Sequence, residues 1–150
     1  MIFDYYIPTK VLFGPGKLNE LGSLPPLGKK ALIVISNGTS MRKNGYLERV
    51  QNLFREQGVE NVVFDQILPN PVKRHVMEGA AMARSEGCDF VVGLGGGSSI
   101  DSAKSIALMA KNPGDYWDYV NGGSGKGQDV PNGALPILAI TTTAGTGTEA

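Results

Sequence analysis

From Phe90 to Lys104 the chain reads Phe-Val-Val-Gly-Leu-Gly-Gly-Gly-Ser-Ser-Ile-Asp-Ser-Ala-Lys. An apolar strand runs straight into a glycine run, and the run opens a helix. Glycine lets the backbone turn sharply and approach a ligand with no side chain between them. The first amides of the following helix have no partner within it and point into the turn, where the helix dipole favours an anion. That order suits a phosphate, and the pyrophosphate of a dinucleotide is the leading candidate. The glycines alone leave a second reading open, a tight strand-to-helix turn without a ligand. Gly93-Leu94-Gly95-Gly96-Gly97-Ser98 lacks the sixth-position glycine of the usual dinucleotide fingerprint. No ribose-binding acid follows on a second strand about 20 residues later. Asp118 comes near that spacing, but Tyr116-Trp117-Asp118-Tyr119 reads as a loop or helix end.

Three residues beside the glycines each carry two readings. Ser98 can cap the helix, with Asp101 completing a box-like pattern three residues on, or it can face a phosphate while Asp101 meets a ribose or substrate hydroxyl. Lys104 can neutralise Asp101 or a phosphate, or be solvated. A second unusual stretch is Thr141-Thr142-Thr143-Ala144-Gly145-Thr146-Gly147-Thr148-Glu149. Hydroxyls set between glycines put short donors and acceptors on bendable backbone, and such a turn suits a ribose or a nicotinamide amide. His75 is the single histidine and reads as solvated or capping, since one ligand makes no metal site. Cys88 reads as a small buried residue.

These residues need a scaffold, and the pattern supplies one. Lys30 to Ile35 and Phe90 to Gly93 are continuous apolar runs, as in strands buried on both faces of a parallel sheet. Tyr5 to Phe13 alternates loosely and reads as a strand. Val62 to Phe64 and Leu135 to Ile140 read as further strands. Lys17 to Leu21 reads as a short helical piece. Helices are expected over Asn44 to Gln57, from Asn70-Pro71 to Gly87 with Pro71 near the first position, and over Ser99 to Ala110. Asn121 to Gly133 reads as a surface loop. Strands alternating with helices give an α/β fold, a Rossmann-like parallel sheet with helices on both faces. Ligands in such folds sit at the carboxyl ends of the strands. Ser36-Asn37, Asn70, Gly95 to Ser99 and Thr141 to Thr146 all lie just past strand ends, so they should converge on one crevice.

Composition narrows the class. The chain has 150 residues, one domain's worth, with 14 Lys+Arg against 14 Asp+Glu. Zero net charge gives no reason to expect nucleic acid or a membrane surface as the main partner. A single cysteine allows no internal disulfide and suits a reducing cytoplasm. The first residues do not read as a signal peptide, and no apolar run is long enough to span a bilayer.

Taken in order and spacing, Phe13-Gly14, Pro69-Asn70-Pro71, Gly95 to Lys104 and Thr142 to Glu149 resemble the iron-containing alcohol dehydrogenase family. Ser36-Asn37-Gly38-Thr39-Ser40 followed by Arg42 and Lys43 resembles its butanol-dehydrogenase-like branch. The resemblance implies a dehydroquinate synthase-like N-terminal dinucleotide domain over residues 1–150. It implies hydride transfer between an alcohol and an aldehyde or ketone, with NAD or NADP as cofactor. It assigns Gly96, Gly97, Ser98 and Ser99 to the pyrophosphate, Asn70 and Asp101 to the ribose region, and Thr142, Thr143 and Thr146 to adenine and ribose contacts. Ser36 and Asn37 fall beside the adenosine ribose. Many NAD-preferring members carry an aspartate there, and a serine removes its repulsion of a 2′-phosphate, which favours NADP. Thr141 stands where the family usually has proline. The family's Fe2+ or Zn2+ ligands, an aspartate and three histidines, belong to a helical second domain outside these 150 residues. The resemblance therefore implies no catalytic residue here, and cofactor binding without alcohol turnover by these residues alone. It also implies a homodimer through the Tyr5–Phe13 strand. The alternatives are a non-catalytic nucleotide-binding fragment and a glycerol-dehydrogenase-like or lyase relative. Those relatives tend to carry lysine at the place of Ser98.

Overall fold

The computed structural model describes residues 6–148 and Ala150. Four strands, β1 (Lys30–Ser36), β2 (Glu60–Ile67), β3 (Phe90–Gly95) and β4 (Ile137–Thr141), form one sheet in the order β2-β1-β3-β4. Every pairing is parallel. The two continuous apolar runs take the centre, where both faces are covered: Ala31 to Ile35 and Phe90 to Gly95 are all buried. β2, part polar, and β4, apolar up to Thr141, take the edges.

Helices cover both faces, as the alternating pattern predicts. α1 (Ser40–Lys43) and α2 (Tyr46–Glu56) pack on one side, where Met41, Leu47, Val50 and Phe54 meet Ile33, Ile35, Phe90 and Val92. Phe54 and Phe90 stand edge to face with centroids 5.7 Å apart. α3 (Lys73–Ser85) and α4 (Gly97–Lys111) pack on the other side, where Val76, Ala80, Ala83, Ala103, Ile106 and Ala107 meet Leu32, Val34, Phe64 and Val91. A short helix, α5 (Tyr116–Tyr119), follows with a capping box between Asp115 and Asp118.

Several boundaries differ from the sequence reading. Residues 6–13 form no strand and pair with nothing among the described residues; Tyr5 lies outside them. A strand exists only through a ladder partner, and loose alternation without a neighbouring edge does not create one. The helix expected over Asn44 to Gln57 is preceded by α1 and begins after Gly45, whose φ of 74° breaks the two apart. α3 begins at Lys73 because Val72 is extended (φ −116°, ψ 145°), which leaves Pro71 before the helix. The piece at Lys17–Gly22 is a 3-10 turn. His75 is buried rather than solvated. It falls on the inner stripe of α3 with Val76 and Gly79, and its Nε2 lies 3.2 Å from Arg74 Nη2.

Asp89 fastens the start of the sheet. Its carboxylate accepts the Lys29 amide at 2.8 and 3.0 Å and the Lys30 amide at 2.9 Å. Burial pushes this carboxyl up, but the two amides outweigh burial and leave it below its ordinary 3.8. A lowered folded value means stability that is present above 3.8 and lost as pH falls through the folded value. Asp89→Ala should cost about 1–2 kcal/mol at pH 7, because two amides lose a charged acceptor. Denaturant melts should show this gap closing in acid. A gap that stays constant down to pH 2 would contradict the assignment.

Candidate functional site

β1 and β3 lie side by side, and their onward connections leave in opposite directions, to β2 on one flank and β4 on the other. In an open parallel sheet that reversal opens a crevice beyond the strand ends, the usual place for a ligand. All four polar stretches singled out in the sequence stand along this edge.

The glycine run forms the centre of the crevice. β3 extends to Gly95, whose φ of 138° is a backbone shape that side chains resist. Gly96 is the N-cap of α4, with no side-chain cap. The helix thus starts at Gly97, two residues earlier than expected. The first helical bond is donated by the Ser99 amide to Gly96 O at 3.0 Å. The amides of Gly97 and Ser98 precede it and have no helical acceptor. They are the donors that an anion would use.

The threonine turn closes over these glycines. The Thr142 amide donates to Gly95 O at 2.9 Å. A Cβ built on Gly96 would stand 3.5 Å from Thr143 Cγ2, and one on Gly97 would stand 3.5 Å from Thr146 and Thr148 Cγ2. The absence of side chains at 96 and 97 keeps a narrow gap between the helix start and the turn. Thr141 shapes the turn without proline: its hydroxyl donates to Thr143 O at 2.7 Å and accepts the Thr143 amide at 3.3 Å. Thr146 and Thr148 hydroxyls pair at 3.1 Å. Glu149 lies outside the described residues.

Ser98 does not cap α4 and forms no box with Asp101. Its hydroxyl donates to Pro69 O at 2.6 Å, which ties the Pro69-Asn70-Pro71 loop to the helix start and brings Asn70 to the crevice. The reason is position: Ser98 is the second residue of the helix, not its cap. Ser99 is buried beneath the turn, close to Gly95, and its amide is already spent on Gly96. Of the four residues assigned to the pyrophosphate, Ser99 therefore supports the site from below. Asp101 is exposed on the next turn. Lys104 forms no ion pair with Asp101; its ammonium donates to Ala150 O at 2.9 Å, just past the threonine turn.

At the other flank, Ser36 ends β1 and Asn37 follows, its amide held by Ile67 O at 2.8 Å. Met41 of α1 lies 4.0 Å from where a Gly95 Cβ would be, so α1 borders the same crevice. Next to Met41, Arg42 pairs with Asp65 at 2.6 Å. The guanidinium holds the Asp65 carboxyl below its ordinary range, and the Gln66 amide adds to this. The sequence reading did not include this pair, or the contacts of Met41, Pro69 and Thr148.

The site fits a dinucleotide through two amides without an acceptor among the described residues, a cradle that side chains would fill, and a hydroxyl-rich cover. It does not fit a metal. Among the described residues no three His, Cys, Asp or Glu side chains gather closely enough to hold an ion.

Known proteins resemble this chain in sequence and fold. The chain is 37% identical to 1,3-propanediol dehydrogenase of Klebsiella pneumoniae over 150 residues, 99% of the chain and 38% of that protein. Its structure superposes on NADH-dependent butanol dehydrogenase A of Thermotoga maritima with a TM-score of 0.85 at 33% identity, covering 97% of this chain and 36% of that one. Sulfoacetaldehyde reductase of Bifidobacterium kashiwanohense in complex with NAD+ gives 0.83 at 30% identity, covering 99% and 38%. The chain thus spans well under half the length of the relatives it matches. The family model described as iron-containing alcohol dehydrogenase matches residues 8–150, and with the glycine cradle and threonine cover in place the chain belongs to that family.

Proposed function

We propose that this chain is the cofactor-binding part of an NAD(P)-dependent oxidoreductase that interconverts an alcohol with an aldehyde or ketone. The observation that carries this reading is the pair of amides at Gly97 and Ser98, which have no acceptor among the described residues, under the threonine turn. The relatives, a 1,3-propanediol dehydrogenase and an NADH-dependent butanol dehydrogenase, support the same reaction class.

The nicotinamide supplies the hydride chemistry when bound. These residues supply position. Orienting the reactants can remove roughly 7–11 kcal/mol of a barrier, and here orientation starts from the diphosphate. The amides of Gly97 and Ser98 anchor it, and Thr142, Thr143 and Thr146 line one wall. Asn70 and Asp101 lie toward the ribose on the other. No step is assigned to a metal, because the described residues do not fit one.

Within this reading the cofactor extends to NADP. Ser36 is neutral, so this side chain adds no charge that repels a 2′-phosphate. Ser36→Asp should weaken NADP+ about tenfold or more while NAD+ changes little. The figure follows from two like-charge contacts of about 1 kcal/mol each at 4 Å in water. Equal loss of both cofactors in calorimetric titrations would contradict it.

Dimerisation belongs to the same proposal. Tyr6, Val11 and Phe13 are 86%, 64% and 93% exposed, and a second copy could supply the ladder partner this segment lacks. Sedimentation of the chain tests it. No described helix is long and apolar enough to cross a membrane. The buried, unpaired Cys88 supports a reducing, cytoplasmic setting.

The primary test is equilibrium binding of NAD+, NADP+ and ATP. Tightest binding of a nicotinamide dinucleotide supports the reading. Binding of ATP alone would make the chain a nucleotide-binding module of another kind.

A further inference from the structure

We infer that Asp65 is a positioning residue for cofactor choice, restraining Arg42 and thereby limiting how well the site takes a 2′-phosphate. The inference rests on the dinucleotide reading above and adds a residue to it.

Arg42 is placed to matter. α1 starts four residues after β1 ends, and its buried Met41 borders the crevice between β1 and β3. An arginine beside the end of this strand is the common means of accommodating a 2′-phosphate. The guanidinium of Arg42 is already engaged, with Nη2 2.6 Å from Asp65 Oδ2.

The alternation of β2 aims Asp65 there: Val63 packs on the α1–α2 side, Phe64 on the other, and Asp65 returns to the first. Val34 pairs with Phe64, but Ser36 pairs with Ile67, so β2 holds one extra residue between these pairs. Phe64 and Ile67 therefore both face the α3–α4 side, although they are three residues apart. Asp65, the residue after Phe64, is directed to the opposite face, where α1 lies. The bulge follows Asp65 and re-aims Ile67 instead. The Gln66 amide also donates to Asp65 Oδ1 at 2.7 Å and helps fix the carboxylate. Lys43, exposed and without an ion pair among the described residues, is a second cation that Asp65 does not hold.

The size of the effect follows from exposure. Arg42 and Asp65 side chains are 50% and 40% accessible. An exposed pair of this kind contributes at most about 1 kcal/mol, so releasing Arg42 can tighten a 2′-phosphate ligand by roughly three- to fivefold. Ser36 thus admits NADP, and Asp65 limits it.

The test is calorimetric titration of the chain with NAD+ and NADP+ in four forms: unmodified, Asp65→Asn, Arg42→Gln and the double variant. Asp65→Asn should tighten NADP+ about three- to fivefold and change NAD+ by less than twofold. Arg42→Gln should weaken NADP+, and in that background Asp65→Asn should gain nothing. An equal change in both dinucleotides, or the same gain without Arg42, would overturn the role of Asp65; the second result would show general repulsion by its charge. If no form binds either dinucleotide, the site reading itself fails and takes the inference with it. The pair is exposed, and thermal melts of all four forms should agree closely. A melting point lost in Asp65→Asn alone would make Asp65 structural and count against the inference.

Discussion

Replacing Gly97 with leucine is expected to lower nicotinamide dinucleotide affinity by at least tenfold while leaving the melting temperature unchanged or slightly raised. Gly97 is the first residue of α4, and its φ is not positive, so leucine fits the backbone and is the better helix former. Its Cβ meets Thr146 and Thr148 at 3.5 Å, an ordinary contact. Beyond Cβ, the larger side chain enters the gap between helix start and threonine turn, where the diphosphate would lie. A hydrogen bond to a charged group is worth about 1.5–3 kcal/mol, so losing even one amide contact accounts for tenfold or more. Titration with NAD+ and NADP+ beside a thermal melt separates binding from folding. Unchanged affinity would place the diphosphate elsewhere.

Gly93→Ala is expected to act in the opposite manner, through the fold. Here the glycine serves close approach. Its Cβ would stand 2.9 Å from Ile100 Cα and 3.0 Å from Ala103 Cβ. The first of these is backbone, so relief requires moving α4 away from β3. Overpacking of this kind costs roughly 1–3 kcal/mol. For a domain near this size that is a fall of about 2–12 °C in melting temperature. The displaced element is the one that presents the Gly97 and Ser98 amides, so affinity should fall together with stability. A variant as stable as the parent would show that α4 does not rest on β3 as closely as described.

The two glycines separate what could be read in advance from what could not. Lys30 to Ile35 is apolar at nearly every position, a pattern that only a strand covered on both faces explains, and β1 sits at the sheet's centre. By residue type the glycine run and the threonines stand out as candidate ligand-handling stretches. Their contact does not, because it depends on β4 lying next to β3, and chain order does not fix strand order. β2 was read too short. Glu60, Asn61, Asp65 and Gln66 look unlike a strand, yet an edge strand tolerates them. Nothing in the periodicity shows that β2 runs past Phe64 beside α1, so the pairing of Arg42 with a residue 23 positions away was out of reach. The burial of His75 was missed for a simpler reason: a histidine in a first helical turn gives no sign of which side it faces. Ser98 shows a further limit. Serine three residues before an acid suggests a cap, but the helix starts at Gly97 because Gly96 serves as its cap, which frees the Ser98 hydroxyl for Pro69.

The most direct measurement is a crystal structure of this chain with a nicotinamide dinucleotide bound. The account predicts diphosphate oxygens within about 2.7–3.2 Å of the Gly97 and Ser98 amide nitrogens, beneath the threonine turn. A dinucleotide bound away from these amides, with the helix start bare, would contradict it.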